Sequence, residues 1–132
     1  ATTEIKNKAK DFVVLSPELR ASVEEADAGL YQRIAQNYQG FAGHQLVAVH
    51  DFDSDWQTWE VHPHGDELVV LLEGAASLVL KQADGEQKLE LCRSGDFAIV
   101  PKGVWHTAEI RSKTRLLFVT PGQETENCAS PQ

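Results

Sequence analysis

From Phe41 onward the chain is interrupted every few residues by turn-forming groups, and the segments between them are too short for anything but strands. Gly65-Asp66, Asp84-Gly85, Ser94-Gly95 and Pro101-Lys102-Gly103 are the clearest interruptions. Asp84-Gly85 is a pair typical of tight hairpins. Segments 46–49, 56–62, 67–73, 76–81, 87–92, 97–100, 106–111 and 115–120 then read as strands, with 12–15 ahead of them. Short strands at this spacing predict an all-β sandwich or barrel.

One helix is expected before the strands. Asp27 can cap it, Leu30, Ile34 and Tyr38 recur at helical spacing, and Gly40 ends it. Its apolar stripe is expected to pack on the outside of a sheet. Residues 1–11 read as a loosely held polar arm and 122–132 as a polar tail without regular structure. The chain therefore divides into an N-terminal part over 1–40, a barrel over 41–121 and a tail over 122–132.

At 132 residues the chain suffices for one domain with its own core. A net charge of −8, with no Lys/Arg cluster, argues against nucleic acid, whose counterions a basic face must displace. It equally disfavours anionic membrane surfaces. No apolar run is long enough to cross a bilayer, and the first residues lack the order of a secretory signal. Two unpaired cysteines, Cys92 and Cys128, suit a reducing compartment. A cytoplasmic protein is expected, although a mature chain cleaved from its signal would read the same. Cys92 reads as a small buried hydrophobe rather than a ligand.

Chemistry concentrates in Glu60-Val61-His62-Pro63-His64-Gly65-Asp66-Glu67. Alternation along a strand points Glu60 and His62 the same way. His106 arrives on a separate, turn-bounded strand and can meet them if the sheet closes on itself. Asp66 reads as a turn residue, and Trp56, Trp59 and Trp105 as core or interface aromatics. His44 and His50 read as surface or edge residues, with cavity lining as the alternative. Lys102 and Arg111 read as solvated charges, with receipt of an anionic substrate as theirs.

Two motifs make the chain resemble the cupin superfamily. Gly95, five residues, Pro101-Lys102-Gly103, two residues and His106 match the second cupin motif, whose trailing Asn falls on Ile110. The first motif, anchored on Glu67 and Gly74, places its His-x-His pair on Glu60 and His62. Glu60 thus stands in place of a histidine, and Ser54 in place of a glycine. The resemblance spans about residues 41–120. It implies a double-stranded β-helix, or jelly-roll barrel, of the small single-domain kind.

The resemblance also implies a metal site formed by Glu60, His62, Glu67 and His106. Two imidazoles with carboxylates suit a divalent metal: Fe, Mn or Ni, with Zn compatible. His64 reads as a rim group behind the ligands; in an alternative register His62 and His64 form the His-x-His pair, with only two residues between His64 and Glu67, and His64 is a ligand. The implied functions are dioxygenase, isomerase or decarboxylase chemistry on a small anionic or enediol-like oxygen metabolite. The alternative is a metal-free, non-catalytic module that binds a small molecule. Glu67 to Glu73 is apolar on both faces, so its outer face needs cover from the helix or from a second subunit, and a homodimer is expected.

Overall fold

The computed structural model describes residues 4–7 and 10–131, so part of the expected N-terminal arm and the last residue of the tail lie outside the described residues. Strands β1 (Asp11–Leu15) and β2 (Ala21–Glu25) form a hairpin, followed by helix α1 (Leu30–Asn37) and a 3-10 turn at Gln39–Phe41. Nine strands follow: β3 (Gln45–Phe52), β4 (Trp59–Val61), β5 (Glu67–Glu73), β6 (Ala76–Gln82), β7 (Gly85–Leu91), β8 (Phe97–Val100), β9 (His106–Ile110), β10 (Thr114–Thr120) and β11 (Glu126–Cys128). They make two antiparallel sheets, ordered β2-β1-β3-β10-β5-β8 and β11-β4-β9-β6-β7. The all-β jelly-roll reading is met, but by two separate hydrogen-bonded sheets rather than one sheet closed on itself.

Alternation explains the core between them. On β5, Val69 and Leu71 are fully buried; on β10, Leu116 and Phe118 are buried; on β6, Leu78 and Leu80 are. These residues form one apolar cluster with Leu91, Val100 and Ala108. Gly74 makes the β5–β6 turn possible. Its φ is +92°, and a Cβ there would lie 2.3 Å from the Lys113 carbonyl oxygen, so only glycine fits.

Four local expectations are corrected. The helix starts after Gly29, not at Asp27, whose carboxylate instead accepts from the Gly29 N–H and pairs with Arg33. It does not lie outside the sheet. Leu30 and Ile34 pack with Phe12, Val14, Leu46 and Ala48, on the face of β3 that looks into the molecule. The polar tail is not without structure, because β11 pairs with β4. Cys92 is exposed rather than buried, since β7 ends one residue before it. β2 and β11 escaped the sequence reading because their residues show little apolar alternation.

With the helix inside, the outer face of β5, where Leu68 and Val70 are half-buried, is left partly open among the described residues. Leu72, Phe97 and Ile99 stand exposed there, on β5 and the edge strand β8.

Candidate metal centre

The two motif turns are clasped together. The Gly103 N–H donates to the His62 carbonyl (3.0 Å), and the Lys102 N–H donates to the Asp66 carboxylate (2.8 Å). Asp66 is thus the turn residue expected. Gly103, at φ +78°, bends the chain so that His106 opens β9 directly opposite Glu60 of β4. Glu67 opens β5 in the other sheet, on the same face as Val69 and Leu71. The site therefore lies between the sheets, with Glu60, His62 and His106 on one side and Glu67 on the other.

All four side chains converge. His62 Nε2 lies 3.3 Å from Glu60 Oε1 and 3.2 Å from Glu67 Oε2. His106 Nε2 lies 3.1 Å from Glu67 Oε1. Ligand atoms of Glu60, His62 and His106 lie within 4.8 Å of one another. His62, Glu67 and His106 are buried, while about a quarter of the Glu60 side chain (26%) is exposed.

Hydrogen bonds at the far side of each ring fix its tautomer. His106 Nδ1 sits 3.1 Å from the Val104 carbonyl oxygen, which can only accept, so Nδ1 carries the proton. The Thr125 hydroxyl donates to the Gly122 carbonyl, and so accepts from His62 Nδ1–H at 2.8 Å. In the neutral rings both Nε2 atoms present lone pairs to the site. Thr120 holds Glu67 by donating its hydroxyl to Oε2 (2.6 Å).

Despite their closeness, His62 Nε2, His106 Nε2 and Glu67 Oε1 are buried without a hydrogen bond, as is Trp56 Nε1 nearby. Their neighbours stand at ion-pair distance. Such orphaned groups are rare and costly. Nitrogen and oxygen ligands held about 2.0–2.2 Å from one ion sit roughly 3 Å apart, which is the spacing of His62 to Glu60 and of each imidazole to Glu67. The donor set therefore fits a divalent cation.

Without a cation the groups compensate each other. Burial disfavours the His62 imidazolium, but the carboxylates of Glu60 and Glu67 outweigh it and raise its pKa to about 9. Burial likewise opposes the Glu67 carboxylate, yet His106 and His62 hold its pKa down at about 2.

The site opens into a cavity of about 730 Å³ between the sheets and the helix. Phe52, Trp56 and Phe118 form part of its wall, and Tyr31 and Ile34 reach it from α1. His50 lines it too, and His44 is buried against Tyr38 and Phe41, so neither is the surface residue expected. His64 pairs with Glu124 outside this cavity. Thr120 could have been found from its alternation with Leu116 and Phe118. Nothing in the polar tail signalled Thr125.

No protein-family model matches the sequence, and no curated protein does. Solved structures do. A cupin-2 domain protein from Shewanella frigidimarina superposes with a TM-score of 0.50 over 58% of this chain and 70% of its own, at 19% identity. Oxalate oxidase superposes with a TM-score of 0.52 over 61% of this chain, at 14% identity. The chain has the cupin fold. The match spans only 44% of the oxalate oxidase chain, and at these identities the likeness is one of fold. In this chain a glutamate, Glu60, stands at the first motif's opening position, directly across from His106.

Proposed function

We propose that this protein is a metal-dependent cupin. Glu60, His62, Glu67 and His106 would hold one divalent cation, Fe, Mn, Ni or Zn, and a small molecule would bind beside it in the cavity. The observation that carries this reading is the set of three buried atoms on His62, His106 and Glu67 that crowd together without a hydrogen bond. A bound cation would act there as a Lewis acid or in oxygen chemistry, consistent with dioxygenase, isomerase or decarboxylase types of reaction. Thr125 and the Val104 carbonyl hold the two rings in the ligating tautomer, and Thr120 orients Glu67. Glu60, the most exposed of the four, is the group best placed to exchange a proton with a bound molecule.

Metal content of protein purified without chelator tests this directly. About one equivalent of Fe, Mn, Ni or Zn is expected, and its loss in His106→Ala; a metal-free protein that also takes up none of these ions would refute it. A metal-free binding module is the second reading. It is favoured by the mutual compensation of a charged His62 and an ionised Glu67.

We further propose a homodimer, formed over the outer face that Leu72, Phe97 and Ile99 leave exposed on β5 and the edge strand β8. Sedimentation showing only monomer at tens of micromolar would contradict it. The free thiols of Cys92 and Cys128 support a cytoplasmic setting. No helix among the described residues is long and apolar enough to cross a membrane.

A further inference from the structure

The cavity's charge and its walls restrict what can bind. Glu60 and Glu67 line it within, Asp53 and Asp55 stand at its exposed rim beside Asp51, which Arg115 pairs, and among the described lining residues there is neither Lys nor Arg. The cations that could have received an anionic substrate are elsewhere. Lys102 is exposed and does not line the cavity, and Arg111 is bound to Glu90 and the Ser77 hydroxyl. Arg115 is tied to Asp51. A carboxylate entering this space would leave water for a region of its own sign, where His62, the lining imidazole that meets carboxylates, is already shared by Glu60 and Glu67. A divalent ion held by Glu60 and Glu67 would already be neutralised by them.

The walls are rings. Phe52, Trp56 and Phe118 stand in mutual contact, with centroids 5.6, 6.0 and 6.2 Å apart. His50 packs on Phe118 at 5.8 Å. These are separations at which aromatic rings attract one another in offset or edge geometry. Because both the ring wall and the His62–Glu67 cluster border one space, a flat molecule can meet both at once.

We infer that the ligand of this cavity is an uncharged aromatic molecule bearing a hydroxyl oxygen, and that carboxylates are selected against. The placement of that oxygen at the His62–Glu67 end rests on the metal-centre reading; the charge and ring arguments do not.

Titration calorimetry with phenol, benzoate and cyclohexanol tests it, on the full chain both chelator-treated and loaded with Mn²⁺. Phenol is expected to bind at least about tenfold more tightly than benzoate in both forms, with cyclohexanol weaker than phenol. Trp56→Ala should weaken phenol binding, and Asp53→Lys should raise benzoate affinity towards that of phenol. Benzoate binding as tightly as phenol, or none of the three binding at millimolar concentration, would overturn the inference. Cyclohexanol binding as tightly as phenol would overturn its aromatic part. If Mn²⁺ fails to bind while phenol remains preferred, the metal-centre reading fails and this inference stands. Mn²⁺ binding with benzoate preferred gives the reverse.

Discussion

The two ends of the space between the sheets are built from the same strands and obey opposite rules. On β5 the inward residues run Glu67, Val69, Leu71; on β9 they begin His106, Ala108; on β10 they run Leu116, Phe118, Thr120. At the apolar end, Leu71, Leu78 and Leu116 are completely buried. At the polar end, buried groups meet at ion-pair distance without a hydrogen bond. The difference teaches that strand alternation decides only which residues face inward. Chemistry is set by where along each strand the inward series turns polar, and here three strands make that change at one level.

The sharpest way to separate the ends is to cut each. His106→Ala should abolish tight metal binding, a loss of at least about 100-fold, while far-UV circular dichroism stays unchanged; retained binding would break the comparison. Leu71→Ala should do the converse. Its cavity should cost about 2–5 kcal/mol in denaturant unfolding, with metal stoichiometry intact in the folded fraction.

The pH response comes next. In metal-free protein, His62 titrates at about 9 against 6.5 as its ordinary value, so its stabilising contribution is complete below pH 6.5 and is lost as pH rises through 9. Glu67, lowered from 4.5 to about 2, contributes above pH 4.5 and loses that contribution as pH falls through 2. Thermal melts of metal-free protein should therefore fall between pH 6.5 and 9. Metal affinity should rise over the same range, because the ion must displace the His62 Nε2 proton. A metal-free melt that rises there would contradict the ion-pair account.

The smallest effect is expected from Thr125→Val. Losing the acceptor that fixes the His62 tautomer should weaken metal binding by about tenfold, measured by chelator competition, without altering stoichiometry.

Much of this was legible in the sequence. Turn pairs marked the strands, and alternation placed Glu60 beside His62 and Glu67 in line with Val69 and Leu71. The spacing from Gly95 to His106 fixed the turn that delivers the second imidazole. The helix was legible as a helix but not in its position, since a stripe of Leu30 and Ile34 does not say which sheet face it meets. His50 was ambiguous because alternation assigns it a shared face with Leu46 and Ala48 without saying that the face is internal. β11 was invisible, since Glu126–Cys128 pairs through backbone alone with little apolar pattern. With it went Thr125, whose contact with His62 spans 63 positions.

Anomalous diffraction from crystals grown with Mn²⁺ tests the central claim most directly. A single strong peak should lie within about 2.0–2.3 Å of His62 Nε2, His106 Nε2 and carboxylate oxygens of Glu67 and Glu60. No peak at that cluster, or one bound by other residues, would contradict the account.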